Sequence, residues 1–307
     1  MSLAALLEPI ARILVLVGVG IALRRFGAVK REDSRALNGV IIYAALPALI
    51  FTVVVKAPLS VELARVTAVA WVVTLLALGA AWGLSRLLKL PSRVAGGFII
   101  AAAIGNTGYI GYPVVRALLG EWWLPPAVFY DVFGSVSVML IFGIMIAAHY
   151  GEHGEGKVNL FKEFITFPAV IALLVALAFR FVPWPPAVWN TVMDWAGFAG
   201  TIAAPLIMIS LGVSLDFSAF RGASVSLATL TGVKLLVLPA LAIGFGWLFG
   251  TGDAVRMLAI EAGMPTALLA LIVSQRFGLD AEYVAAASLT TTVCCVVSIP
   301  LVQLLIR

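Results

Sequence analysis

Two short stretches carry most of the polar chemistry inside this chain. The first is Gly105-Asn106-Thr107-Gly108-Tyr109-Ile110-Gly111-Tyr112-Pro113; the second is Ala259-Ile260-Glu261-Ala262-Gly263-Met264-Pro265-Thr266-Ala267. Each interrupts an apolar run, at 94–119 and 254–277, long enough to cross a bilayer. Glycine loosens a helix, and proline lacks an N–H and clashes with the carbonyl one turn back, so both stretches oppose a continuous helix. Open backbone in hydrocarbon must be covered by protein or line a water-filled cavity. For one break alone, a kinked packing helix is an equal reading, because Gly and Pro are frequent in membrane helices. A second break of the same kind weighs against it.

A carboxylate in mid-span must be protonated, paired or bound to a cation. Glu261 therefore marks a functional site, with a buried structural pair to Lys234 as the alternative. If the two breaks cross, the half-helices beginning near Pro113 and Thr266 offer N–H groups and positive dipole ends to an anion. Those ending near Gly105 and Glu261 offer carbonyl oxygens to a cation. Asn106, Thr107 and Thr266 add an amide and two hydroxyls, Pro265 shapes the crossing, and Lys234 attracts an anion. A cation beside Glu261, with Na+ the candidate, draws oxygens from the backbone around Met264, from Asn106 and Thr107, and from Ser135 or Ser137. A titrating Glu261 couples to H+ instead. Asp131 is a second intramembrane acid, read equally as an ion or proton ligand and as a packing residue. Tyr109 and Tyr112 either line a cavity for an organic acid or make helix contacts.

The elements that must position these groups follow from composition. Of 307 residues, 63% are hydrophobic and 11% charged, with mean hydropathy +1.11. A soluble domain carries about 25% charged residues, so this is an all-α polytopic membrane protein. The net charge of +5 speaks for topology and not for nucleic acid. Ten spans are expected: 6–26, 37–55, 65–88, 94–119, 125–148, 164–181, 190–215, 222–248, 254–277 and 281–306. The first reads as a retained span, since Met1–Pro9 lacks a basic leader. With the N-terminus outside, Arg24, Arg25, Lys30, Arg31, Arg35, Arg86, Lys89, Arg93, Lys157, Lys162, Arg221 and Arg276 fall inside, against Lys56, Arg65, Arg116, Arg180, Arg256 and Arg307 outside. That bias puts both termini on the outer side of the membrane. Cys294 and Cys295 read as small apolar residues, and His149 and His153 form no ligand cluster; no cofactor is expected beyond a bound Na+. Gly79-x-x-x-Gly83 reads as a helix-packing motif.

Pro47-Ala48-Leu49-Ile50 resembles Pro205-Leu206-Ile207-Met208, and Pro113 matches Pro265. Two tandem five-span units, 1–150 and 151–307, must lie in the membrane with opposite topology. Interrupted spans at corresponding positions of inverted repeats point to a midplane binding site in a secondary transporter.

At these motifs the chain resembles the auxin efflux carrier family, as a bacterial member within the superfamily that includes the bile acid:sodium symporters. The first break resembles that family's fourth-span signature. Ala204-Pro205-Leu206-Ile207-Met208-Ile209-Ser210-Leu211-Gly212, Lys234-Leu235-Leu236-Val237-Leu238-Pro239 and Met264-Pro265-Thr266-Ala267 resemble its seventh, eighth and ninth spans. The resemblance implies two inverted five-helix repeats with crossing, broken fourth and ninth helices. It also implies a scaffold of spans 1, 2, 6 and 7, a moving core of spans 3–5 and 8–10, and a homodimer through the scaffold. By the resemblance, Asn106 and the Pro113/Pro265 crossing belong to the substrate site. Glu261-Ala262-Gly263-Met264 departs from the auxin carriers and is similar to the symporters, where the glutamate holds Na+.

The expected function is secondary transport of a small organic anion, a carboxylate, coupled to Na+ or H+, with no enzymatic role. The alternatives are a membrane ligand sensor without turnover and an uncoupled uniporter of auxin-like weak acids.

Overall fold

The structure is a computed structural model that describes residues 3–152, 162, 165–214 and 225–306. His153, Lys157, Arg221 and Arg307, and the expected junction between the seventh and eighth spans, lie outside the described residues.

Regular structure among the described residues is helical, apart from one isolated backbone bridge. In chain order the helices are α1 (Leu3–Arg25), α2 (Ala36–Lys56), α3 (Val61–Leu87), α4 (Ser92–Ala103), and α5, a wide turn at Thr107–Gly111 running into Tyr112–Leu119. There follow α6 (Glu121–Tyr150), α7 (Pro168–Arg180), α8 (Pro186–Ser214), α9 (Val225–Leu248), α10 (Val255–Ala262), α11 (Leu268–Phe277) and α12 (Ala281–Leu304). Six of these, α2, α3, α6, α8, α9 and α12, are long and apolar enough to cross a membrane. The shorter α4, α7 and α11 are also apolar.

Three helices contain a proline behind a π-helical turn. Ile41–Ala45 precedes Pro47, Thr107–Gly111 precedes Pro113, and Val233–Val237 precedes Pro239, each turn ending two residues before the ring. A proline without an N–H, pressing on the carbonyl a turn back, leaves the preceding turn to widen until its carbonyls find donors. Pro113 is therefore absorbed within α5; the chain breaks earlier, at Ile104–Asn106.

The chain divides into two compact units. One gathers Met1–Leu59, Tyr112–Val128 and Phe161–Leu215; the other gathers Ser60–Gly111, Phe129–Leu160 and Asp216–Arg307. In the first unit α1 packs on α8 through Gly20 and Gly212, each of which lies where a Cβ on the other would come within 3.0 Å of its Cα. Arg24 Nη1 donates to Val213 O at 3.1 Å, and Ser210 Oγ to Asn38 Oδ1 at 2.8 Å. Arg180 Nη1 donates to Ala57 O at 2.6 Å, tying the end of α7 to the end of α2. Phe179 stacks between Trp184 and Trp189 at the α7–α8 corner.

In the second unit Trp71 Nε1 donates to Phe133 O at 2.7 Å, fixing α3 against α6, where Gly134 meets Ala70. Arg93 Nε donates to Gly278 O at 2.8 Å, and Asp280 N to Arg93 O at 3.3 Å, binding the start of α4 to the α11–α12 corner. That corner is made by Gly278 in the left-handed region (φ +71°), followed by Asp280, whose carboxylate accepts from Tyr283 N at 2.9 Å and caps α12. The Gly79/Gly83 motif does not pack as expected: a Cβ on either residue would meet nothing within 4 Å.

Candidate functional site

The open segments of the two interrupted spans both lie in the second unit, and they meet. α4 ends at Ala103 and the chain turns extended at Ile104 (φ −92°, ψ 117°). α10 ends at Ala262, and Ala267 is extended before α11 begins (φ −67°, ψ 143°). Gly105 and Thr266 form an antiparallel bridge. Asn106 N donates to Pro265 O at 2.7 Å, and Ala267 N donates to Ile104 O at 3.0 Å. Each break therefore supplies the backbone partners that the other lacks, which is how open peptide groups are kept inside a bundle.

Side chains reinforce the meeting point. Thr266 is fully buried; its hydroxyl donates to Ala101 O at 2.8 Å, and its N–H donates to Thr291 Oγ1 at 3.0 Å. Ser288 Oγ donates to Thr266 O at 3.2 Å. Ser288 and Thr291 were not singled out from the sequence. Their signal is modest, hydroxyls three residues apart on one face of the last helix. Pro265 and Met264 are buried within the same segment.

Three ionisable side chains lie along the first break, each against a glycine. A Cβ at Gly105 would fall 2.9 Å from Lys234 Nζ, one at Gly108 would fall 2.8 Å from Asp131 Oδ2, and one at Gly111 would fall 2.8 Å from Glu261 Oε1. The missing Cβ atoms at these three glycines make room for the ionisable groups. Asp131 also accepts from the Thr107 hydroxyl and sits beside the first turn of α5, where unpaired N–H groups favour negative charge. Asn106 is buried; its carbonyl accepts from Ile110 N at 3.0 Å and Gly111 N at 3.1 Å, closing that turn.

Glu261 is completely buried, and neither carboxylate oxygen has a hydrogen-bond partner among the described residues. The Lys234 ammonium instead donates to Ala103 O at 3.3 Å and Ala262 O at 3.4 Å. Ser137 donates to Val132 O at 2.9 Å within its own helix, and Ser135 is buried on the π-helical turn Phe129–Val136 that also carries Asp131. Tyr109 is half-buried on the turn at Thr107–Gly111. Tyr112 and Pro113 are buried on the α5 segment that belongs to the first unit. Thr107, Asp131 and Lys234 all sit on π-helical turns, which redirect side chains relative to a regular helix. Among the described residues no group of three or more His, Cys, Asp or Glu could hold a metal ion.

The sequence profile of a family described as "Membrane transport protein" matches residues 5–154 and 156–303. The chain is 32% identical over 297 residues to an uncharacterized transporter of Methanothermobacter thermautotrophicus, covering 96% of each chain. It is 29% identical to an uncharacterized transporter of Methanocaldococcus jannaschii, covering 93% of this chain and 94% of the relative. It is 28% identical over 282 residues to a Rhizobium meliloti protein bearing the name "Putative malonate transporter", covering 88% and 86%. These relatives are transporters by name and not enzymes. With two interrupted segments hydrogen-bonded inside an apolar bundle and an unpartnered acid beside them, this integral membrane chain belongs to the membrane transport protein family.

Proposed function

We propose that the protein is a secondary active transporter of a small carboxylate, working by alternating access and coupled to Na+ or H+ through Glu261. The observation that carries this reading is the unpartnered, fully buried Glu261 beside the hydrogen-bonded crossing of the two breaks. A carboxylate left without partners in such a place is matched to a cation or proton that comes and goes. Half-helix ends at a crossing supply complementary fields, N–H groups for the anion and carbonyls for the cation. Asn106, Thr107, Tyr109, Pro265 and Thr266 border the anion in this reading, and Lys234 adds positive charge. Asp131, Ser135, Ser137 and the backbone at Met264 border the ion.

The name of the Rhizobium meliloti relative supports a dicarboxylate as the first substrate to try. In this reading α4–α5 and α10–α11 each make one broken span, giving ten spans in two inverted five-span repeats. Spans 1, 2, 6 and 7 serve as scaffold and as the contact surface of a homodimer, and spans 3–5 and 8–10 as the moving core. Both termini lie on the outer side of the plasma membrane.

The test is uptake of labelled malonate into proteoliposomes under an imposed Na+ or pH gradient, wild type against Glu261→Gln. Gradient-driven uptake lost in the variant is the expected result. Binding without uptake would support a ligand sensor, and uptake indifferent to both gradients would support a uniporter.

A further inference from the structure

Lys234 neither pairs with the nearby acid nor points at an open space. The residue is 2% exposed, and its ammonium donates to two carbonyl oxygens, Ala103 O at 3.3 Å and Ala262 O at 3.4 Å. These are the last residues of α4 and α10, the two half-helices that stop at the crossing. Carbonyls at a helix C-terminus lack partners within the helix and carry the negative end of its dipole. Two such ends converging in a dry interior repel one another unless a positive charge lies between them. The two nearly equal, long distances fit an ion shared by both oxygens better than a donor committed to one. Peptide carbonyls that replace an ion's hydration shell are the usual ligands of monovalent cations inside membrane proteins.

We propose that Lys234 is a tethered cation: its ammonium permanently occupies a monovalent-cation site formed by the C-terminal carbonyls of α4 and α10. Two further features fit this role. Gly105 leaves the space that the ammonium fills, a Cβ there falling 2.9 Å from Nζ and 3.4 Å from Cε. The stem rises from the widened turn ahead of Pro239, not from a regular helix face. With this position filled by the chain itself, Glu261 is the place left for a mobile ion, so one exchangeable cation serves each transport cycle. That last consequence deepens the transport reading and rests on it; the cation site does not.

The experiment reads stability, so the two ideas fail separately. The full chain is purified in detergent in a Glu261→Gln background, which removes the acid as a source of cation binding. Its thermal unfolding is followed with Lys234 intact, with Lys234→Ala and with Lys234→Met. Na+, K+ and methylammonium are each titrated against choline at constant ionic strength. The expected result is that Lys234→Ala unfolds at lower temperature in choline and regains roughly 5 °C, saturably, with at least one small cation. Lys234→Met, which refills the space without charge, stays low and responds to none. No cation-specific shift in Lys234→Ala overturns the proposal, as does a Lys234→Met protein as stable as its parent. If Lys234→Ala cannot be recovered in choline, recovery in methylammonium supports the site and failure in every cation overturns it. A cation-rescued Lys234→Ala beside a wild type that moves no anion would retain the site and remove the transport reading.

Discussion

The Glu261 carboxylate occupies the space that a side chain on Gly111 would need, with Oε1 and Cδ both 2.8 Å from the position of that missing Cβ. An acid from the second break is thus seated on a bare patch of the first. Gly111→Ala should push the carboxylate off its seat. Overpacking of this kind costs roughly 1–3 kcal/mol. The expected outcome is folded protein with a lowered unfolding temperature whose uptake has lost its ion-gradient dependence; unchanged coupling in proteoliposomes would show that Glu261 acts elsewhere.

Glu261→Gln should separate stability from function. Because neither oxygen has a hydrogen-bond partner among the described residues, this substitution breaks no hydrogen bond there and leaves a side chain that cannot ionise. The unfolding temperature is expected to hold or rise, while gradient-driven uptake falls at least about tenfold, equivalent to about 1.4 kcal/mol in the coupled step. A sharp fall in stability would mean that the carboxylate is a structural strut.

Thr107→Val removes the hydroxyl that donates to Asp131 but keeps the shape. Losing one hydrogen bond to a charged group costs roughly 1.5–3 kcal/mol. Thr107→Ser should restore most of that loss, a comparison readable by thermal unfolding.

Thr291→Val leaves the Thr266 N–H without its acceptor at the meeting of the two breaks. The expected cost is about 1–3 kcal/mol. Hydrogen exchange at Thr266 and Ala267 should quicken in the variant, and exchange as slow as in wild type would show that Thr291 does not hold the crossing.

In the first unit, Gly212→Val should be the most damaging of these changes. The neighbours of the new Cβ are the Val17 carbonyl oxygen, nearest of all, and the Gly20 Cα and Ile21 N at 3.0 Å, main-chain atoms that no rotamer change can move aside. Separation of α1 from α8 is expected, read as poor recovery of folded chain; Gly79→Val, whose surroundings are open, serves as the tolerated control.

The breaks themselves were legible in the sequence because Gly, Asn and Pro inside apolar runs leave few helical solutions. Glu261, Lys234 and Asp131 stood out because charge in such runs is rare. Their partners were not legible. The alternative reading paired Lys234 with Glu261, yet the ammonium lies on two carbonyls contributed by residues 131 and 28 positions away. Proximity at that range is set by tertiary packing and leaves no local pattern. Pro113 looked like the origin of a half-helix, whereas the new helix starts at Thr107 and a widened turn absorbs the ring. The donation of the Thr266 hydroxyl to Ala101 O, 165 residues earlier in the chain, left no local pattern either.

The paired amides of Asn106 and Ala267 knot the two interrupted strands of backbone together. Pulling the knot open would strand two donors and two acceptors where water is scarce, so in the proposed transport cycle it is expected to move as a single node. In that reading, gating falls to the helices that shield or uncover it.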